Sequence, residues 1–340
     1  MNGRKARFAL IGVGHIGRSA IAPAFRNTFS AELATIISGD PVKRQEVCAE
    51  YKLPAGYAYD ELERALVEQR CDAVFIALPN QLHREYTERV LRAGVHVLCE
   101  KPLAVTVEDC AAMKTAAQQY GRKLMVAYRH HFSDAYREIV RIAADGTIGE
   151  LRSVHSVFSI SVKPGHKTMR VNGGTLPDIG IYCINTIRKI MRADPVEVAG
   201  FTTKRTDDPR FREVEEMFMA VMEFPGARVA TFTCEFGSSR VMSVDLVGTS
   251  GSVHCEPFYD YKNDARMEIN VDAAERQFRV FPKQDQFALE IDHFARCILD
   301  NVEPSESADE AIADTKVMEA LRADALRSKR FAAESGTAVR

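Results

Sequence analysis

Arg7-Phe-Ala-Leu-Ile-Gly12-Val-Gly14-His-Ile-Gly17 is the stretch that decides the fold. Phe8 to Ile11 are apolar and read as a short buried strand. They run into Gly12, Gly14 and Gly17, spaced G-x-G-x-x-G, and a helix-like segment follows. The first glycine permits a tight turn, the second lets the backbone approach a pyrophosphate, and the third lets helix and strand pack closely. The helix N-terminus offers free N–H groups to phosphate oxygens. Gly12, Gly14, His15, Ile16 and Gly17 are therefore candidates for binding a dinucleotide. A glycine-rich turn with no nucleotide is the plainer alternative. Its place at the first strand, before a helix and a second strand, favours the dinucleotide.

The second strand is Leu33 to Ile37. At its end the fingerprint expects an acidic residue for the ribose hydroxyl. Ser38 stands there instead, followed by Gly39 and Asp40. A hydroxyl leaves room for a 2′-phosphate that Lys43 and Arg44 can neutralise, which points to NADP. NAD stays open if Asp40 reaches the ribose and Lys43 and Arg44 only begin an exposed helix face.

Outward from there the rhythm repeats. A helix begins at Asp60, and the strand Cys71–Leu78 ends in Pro79-Asn80. The next helix holds His83 near its start. Val95 opens a strand running into Glu100-Lys101-Pro102, then come a helix Val107–Tyr120 and a strand Lys123–Tyr128. Strands alternating with helices mean a doubly wound parallel sheet. Pro102 cannot continue a central ladder, so Lys101 sits at the carboxyl end of a core strand, the edge where such sheets bind ligands. Leu78, Pro79, Asn80, His83, Glu100 and Lys101 should face the cofactor.

From Tyr128-Arg129-His130-His131 the character changes. After a helix Asp134–Ala144, strands follow one another without intervening helices: from Leu151, then Val196–Thr202, Met217–Phe224, Arg228–Phe236, Val241–Val247, Met267–Val271 and Gln277–Phe281. That suggests an α+β unit with a largely antiparallel sheet, one face open. The expected division is a Rossmann domain, 1–127, and a second domain, 128–340, for substrate binding and association. The tail, Phe287–Asp300 and Ala308–Lys329, reads as helical, with 337–340 frayed. An open sheet face favours a homodimer or homotetramer.

One helix of the second unit is unusual. Gly173-Gly174-Thr175-Leu-Pro177-Asp178-Ile-Gly-Ile-Tyr182-Cys-Ile-Asn185 has Thr175 as a candidate N-cap and Pro177 in its first turn. Asp178, Tyr182 and Asn185 share a face, with Ile181 and Ile184 turned to the core. A polar stripe on a buried helix is costly unless it is hydrogen-bonded or used. It reads either as structural or as a proton-transfer surface facing the cofactor.

Composition narrows the class. The 340 residues are 46% hydrophobic and 27% charged, with a net charge of −2, which argues against nucleic acid or an anionic membrane as partner. No apolar run reaches the ~20 residues of a membrane span. The 8 cysteines show no paired or metal-ligating spacing. A reduced cytoplasmic protein without a structural metal or an export signal is expected.

In Gly12-Val-Gly14-His-Ile-Gly17, Ala77-Leu-Pro79-Asn80 with His83, Glu100-Lys101-Pro102, Tyr128-Arg129 and Gly173-Gly174 to Asn185, the chain resembles the glucose–fructose oxidoreductase and inositol dehydrogenase family of NAD(P)-dependent enzymes. The Asp178-Ile-Gly-Ile-Tyr182 run is similar to the glucose–fructose oxidoreductase branch. It departs from that branch in having two glycines after Asn172, Met169 before Arg170, and no tryptophan. The resemblance implies a nicotinamide enzyme acting on a sugar-like carbinol or carbonyl. It implies Lys101 and Tyr182 as the proton-transfer pair; Asp178, on the same helix face as Tyr182, would then orient Lys101 or a substrate hydroxyl. Arg129, His131, Arg170 and Asn185 are further candidates for holding substrate hydroxyls, and Arg129 for the cofactor. A cation near the phenol is expected to lower the Tyr182 pKa. A dinucleotide-binding regulator without turnover, and a dehydrogenase of non-sugar diols, are the alternatives.

Overall fold

The computed structural model describes residues 3–163, 173–205, 207–272 and 274–327. Arg170, Asn172 and the expected frayed end lie outside the described residues. Strands β1 (Ala6–Ile11), β2 (Ala31–Ile37), β3 (Gly56–Tyr57), β4 (Ala73–Ile76), β5 (His96–Glu100) and β6 (Leu124–Ala127) form one parallel sheet in the order β3-β2-β1-β4-β5-β6. The order reverses between β1 and β4, the switch point at which such sheets open a ligand crevice.

Two helical layers cover this sheet. The segment α1 (17–27) begins with a π-helical turn. It is followed by α2 (Pro41–Tyr51), α3 (Leu62–Glu68), α4 (His83–Arg92), α5 (Val107–Tyr120), α6 (Asp134–Asp145), α7 (Ile181–Met191), α8 (Gln286–Leu299) and α9 (Ala308–Arg327). Leu62, Val90 and Met113 of α3, α4 and α5 pack with Ile11, Val74 and Val97 on one face. On the other face Phe8, Leu10, Phe75 and Leu98 meet Ile21 and Phe25 of α1 and Val47 of α2. They also meet Phe287, Ile291 and Phe294 of α8. The expected division at 127/128 assigns α8 to the second unit, yet α8 packs on the first sheet. Ile291 and Phe294 are fully buried there, each worth about 1.5–3 kcal/mol of burial. No local pattern marks which sheet an amphipathic helix will cover.

The second sheet has eight strands, in the order β14-β13-β12-β11-β7-β10-β9-β8. These are β7 (Leu151–Ser159), β8 (Glu197–Thr203), β9 (Met217–Phe224), β10 (Arg228–Glu235), β11 (Val241–Gly248), β12 (Gly251–Glu256), β13 (Ala265–Val271) and β14 (Gln277–Phe281). Only β7–β10 is parallel; the other pairs are antiparallel. The expected turn after Phe224 is a tight hairpin, with φ of +82° at Gly226 and +54° at Ala227. Alternate residues of β9 and β10, among them Phe218, Ala220, Met222, Ala230 and Phe232, are buried in the core that also takes Ile181 and Ile184 of α7. Their neighbours Met219, Val221 and Val229 face outward and are exposed. Strand β12 was not anticipated; it turns back after the short Thr249-Ser250 link.

α9 joins the two units. Asp314, fully buried on it, accepts from Tyr128 Oη (2.7 Å) and Asn185 Nδ2 (2.9 Å) and pairs with Arg188. One carboxylate thus ties the end of the first sheet to α7.

Candidate functional site

The glycine fingerprint is built as its spacing requires. Gly12 has φ +94°, and a methyl group there would strike the carbonyl of Ala77. A methyl on Gly17 would strike the carbonyl of Gly12. At Gly14 nothing lies within 4 Å, and Gly14 and His15 are exposed, with Ile16 half-buried. A dinucleotide pyrophosphate can approach the backbone at that open position, beside the start of α1. The residues present therefore fit such a group.

At the end of β2, Ser38 is nearly buried, and Arg44 donates from Nη1 to its carbonyl at 2.5 Å. Asp40 is engaged at the start of α2, with its side chain still partly exposed. Its carboxylate caps α2 by accepting from the N–H groups of Val42 and Lys43 (3.0 and 3.1 Å), and it pairs with the Lys43 ammonium at 3.4 Å. The backbone and side-chain contacts with Lys43 hold its pKa below the usual aspartate range. Ser38, Gly39, Lys43 and Arg44 are thus gathered at one strand end, with the acidic residue turned to the helix cap.

The loops after β4 and β5 are tied together by His83. Its Nε2 faces the Leu78 carbonyl (2.9 Å), and its Nδ1 faces those of Pro102 (3.0 Å) and Leu103 (3.2 Å). The ring is wholly enclosed. His83 was expected to touch the cofactor; instead it fixes the spacing between Leu78-Pro79 and Lys101-Pro102. Burial pulls its pKa below the ordinary imidazole value, against the pull of the three carbonyls.

Lys101 leaves the end of β5 and crosses to the second unit. Its Nζ donates to the Asp178 carbonyl oxygen (2.7 Å) and carboxylate (3.2 Å), and lies 5.1 Å from the centre of the Tyr182 ring. Burial disfavours the ammonium, but Asp178, then Tyr182 and Glu100, outweigh it and raise its pKa above the lysine norm. The Tyr182 hydroxyl makes no hydrogen bond among the described residues. Burial raises the phenol pKa despite the opposing pull of Arg129 and Lys101. That corrects the expected lowering: here the loss of water outweighs two nearby cations.

Asp178 belongs to a π-helical turn, Leu176–Gly180, that runs into α7. Thr175 is not its cap. Thr175 Oγ1 donates to Glu215, which also accepts from the Leu176 N–H, both at 3.2 Å. Glu215 thus satisfies this helix start, and Gly174, with φ +99°, has no room for a side chain beside it.

Three expected substrate ligands are placed otherwise. Asn185 is fully buried, further down the polar stripe than Tyr182, and its Nδ2 donates to Asp314 and Glu310. Its Oδ1 must then accept from His131 Nε2, while His131 Nδ1 lies 3.2 Å from Glu306. Asn185 and His131 therefore form a buried network against α9 and do not reach Lys101. Arg129 is also buried. It donates to Gln286 and, at 3.0 Å, to the carbonyl of Tyr259, and its guanidinium lies over Tyr182 (5.2 Å), Tyr261 (4.6 Å) and Phe287 (5.5 Å). It backs Tyr182 instead of facing a ligand. Gln286, Phe287, Tyr259 and Tyr261, which hold Arg129, had no motif to flag them. Arg170 lies outside the described residues.

A cleft of about 1050 Å³ lies elsewhere, lined by Arg240, Asp260, Lys262, Arg266, Glu268 and Phe278 among others. It sits at the rim of the second sheet, and Arg240 is already paired with Asp260 at 3.0 Å. The carboxyl edge of the parallel sheet is the better candidate because cation, carboxylate and phenol converge there. Among the described residues no cluster of His, Cys, Asp and Glu could hold a metal ion, and no helix is long and apolar enough to cross a membrane.

Fold and site together define a class, the dinucleotide-dependent oxidoreductases, and comparison with known proteins gives the family. Residues 6–128 match the oxidoreductase family with an NAD-binding Rossmann fold, and residues 136–254 match the GFO/IDH/MocA C-terminal domain. The chain belongs to this GFO/IDH/MocA oxidoreductase family. Among its relatives, a D-xylose 1-dehydrogenase [NADP(+)] from Haloarcula marismortui is 29% identical over 325 residues, covering 93% of this chain and 89% of the relative. The structure of an aldose-aldose oxidoreductase from Caulobacter crescentus, complexed with glycerol, superposes with a TM-score of 0.89. It is 32% identical, covering 95% of this chain and 98% of that one. A 3-ketoreductase from Actinomadura kijaniata, in complex with TDP-benzene and NADP, gives 0.83 at 25% identity, covering 94% and 97%.

Proposed function

We propose that this protein is an NADP-dependent dehydrogenase or reductase of sugars, acting on a carbinol or carbonyl carbon beside Lys101 and Tyr182. The bound dinucleotide exchanges the hydride. The backbone at Gly12, Gly14 and Gly17 and the loop Leu78-Pro79-Asn80 hold it, with Ser38, Lys43 and Arg44 at its adenosine end. Tyr182 passes a proton to or from the substrate oxygen, and the Lys101 ammonium stabilises negative charge on that oxygen. Asp178 fixes Lys101 in place. The observation that carries this reading is Lys101 bridging the end of a cofactor-sheet strand to the helix that bears Tyr182. The xylose- and aldose-active relatives favour an aldose as substrate, and the NADP-dependent ones agree with Ser38 standing where an acidic residue would exclude a 2′-phosphate.

The test is the absorbance of reduced cofactor during incubation with D-xylose, D-glucose and other aldoses, with NADP⁺ and NAD⁺ in parallel. Aldose-dependent reduction of NADP⁺ is expected. Cofactor binding without turnover of any sugar, diol or ketose would contradict the reading.

We further propose that the outer face of the second sheet joins copies of the chain. Phe201 pairs with Met219 across β8 and β9, and Val221, Val229 and Val247 continue an exposed apolar surface. Exposed apolar side chains gathered on one sheet face suit a contact between copies. Light scattering at micromolar concentration should report a dimer or tetramer that Met219→Lys with Val221→Lys breaks up. A strictly monomeric wild type would refute this.

A further inference from the structure

Asp178 can hold Lys101 only if its own turn is held. That turn, Leu176–Gly180, has no cap of its own: Thr175 is already helical, with φ −68° and ψ −40°, and its side chain makes no capping bond. Gly173 and Gly174 precede it, both with positive φ. The free N–H groups of a helix start need an acceptor from elsewhere. One carboxylate oxygen supplies it: Glu215 Oε1 accepts from the Thr175 hydroxyl and from the Leu176 N–H, both at 3.2 Å. Thr175 is fully buried and Leu176 nearly so, so losing that oxygen would leave two buried donors unpaired.

Glu215 is itself held from the second sheet. It lies on the link between β8 and β9. Its neighbour Glu216 donates its N–H to the Thr203 carbonyl at the end of β8, and the Glu216 carbonyl accepts from the Phe236 N–H just beyond β10, each at 3.0 Å. The Glu216 carboxylate accepts from the Arg205 N–H (3.0 Å) and Nε (2.8 Å). We propose that Glu215 is a positioning residue for Lys101: by fixing the turn Leu176–Gly180 it sets where Asp178 meets the ammonium. The contacts follow one another without a gap. Glu215 holds the Leu176 N–H, Asp178 lies two residues further on, and its carbonyl and carboxylate take Lys101 Nζ at 2.7 and 3.2 Å. A single oxygen receives both donors, so a neutral amide oxygen in the same place can replace it. The contribution of Glu215 is geometry, not charge.

The other groups around Lys101 do not ride on this turn. Tyr182 belongs to α7, whose Ile181 and Ile184 are anchored in the core. Arg129 lies over the Tyr182 ring at 5.2 Å. Glu100 comes from the end of β5, where its carboxylate accepts from the Lys101 N–H at 3.3 Å, and His83 comes from α4. Asp178 is the largest of the influences that favour the ammonium. A displaced Asp178 therefore loosens the Lys101 proton while Tyr182, Glu100, Arg129 and His83 stay where they are.

The Lys101 charge is read without turnover by competitive acetylation. The full chain is labelled with trace acetic anhydride over a range of alkaline pH, and each lysine is followed by peptide mass spectrometry. Glu215→Ala should lower the Lys101 pKa by about one unit. Glu215→Gln, which keeps an accepting oxygen, should leave it at the wild-type value. Lys114 on α5 and Lys123 on β6 are internal controls and should not move. In the Asp178→Asn background Glu215→Ala should add less, because the two act along one route. An unmoved Lys101 in Glu215→Ala would overturn the proposal. So would failure of Glu215→Gln to restore it, a shift shared by the control lysines, or a shift of full size in the Asp178→Asn background. Thr175→Val removes one of the two donors and repeats the test if Glu215→Ala does not fold: Lys101 should shift the same way by less, and an unmoved Lys101 would overturn the proposal. The effect on turnover rests on the sugar-dehydrogenase reading: with NADP⁺ and D-xylose, the limb of the pH–rate profile set by Lys101 should follow the acetylation result. If wild type turns over no sugar, that reading fails while acetylation still decides the role of Glu215.

Discussion

Lys101 Nζ sits 2.7 Å from the carbonyl oxygen and 3.2 Å from the carboxylate of Asp178, a residue 77 positions further along the chain. The contact joins the end of the first sheet to the helix start of the second unit, and the carboxylate is the strongest influence favouring the Lys101 charge. Asp178→Asn keeps the carbonyl contact and removes the charge. The Lys101 pKa should fall, so the limb of the pH–rate profile set by its ammonium should move to lower pH by about one to three units. A profile unmoved by Asp178→Asn would show that Asp178 does not govern Lys101.

Tyr182 was expected to be acidified by its cationic neighbours, yet its burial prevails. In cofactor-free protein the phenol should therefore ionise above its ordinary value of about 10. An alkaline absorbance titration of wild type minus Tyr182→Phe isolates this one group. A tyrosinate step below that value would mean that Arg129 and Lys101 outweigh burial after all.

Arg44 holds the Ser38 carbonyl and Lys43 faces Asp40, both at the mouth of β2. Arg44→Ala should weaken NADP⁺ binding roughly tenfold or more, the scale of one charge-assisted contact, with little effect on NAD⁺. Titration calorimetry with each dinucleotide checks it. Equal weakening of both would assign Arg44 to holding the loop.

Acid should destabilise the fold through His96. Its Nδ1 accepts from the Lys123 N–H at 2.9 Å, a bond that needs the unprotonated nitrogen. Burial, then Arg122 and Lys123, push its pKa down to about 4. The unfolded chain, titrating near 6.5, binds this proton first. The contribution is therefore complete above about pH 6.5 and lost progressively as pH falls towards 4. Thermal midpoints for wild type and His96→Gln should converge across that window; a constant gap would remove His96 as the cause.

The parts of the molecule that were legible in sequence are those set by short-range rules. Gly12, Gly14 and Gly17 are fixed by the space within one turn, and the alternating strands by their period of two. Lys101 was legible because Pro102 ends its strand. The burial of Asn185 was not, because the stripe from Asp178 runs inward, and only α9 decides that its far end meets Asp314 and Glu310. His83 looked like a ligand because its motif sits by the cofactor loops, but three carbonyls, two of them 19 and 20 residues on, claim the ring. Gln286 could not be found at all: its meaning depends on α8 crossing back to the first sheet.

The most direct test of the central claim compares wild type with Lys101→Ala in NADP⁺ reduction by D-xylose and other aldoses, with NADPH binding followed by fluorescence. The account requires turnover to fall about 10²–10⁴-fold while NADPH affinity changes little. Wild-type turnover persisting in Lys101→Ala would contradict it.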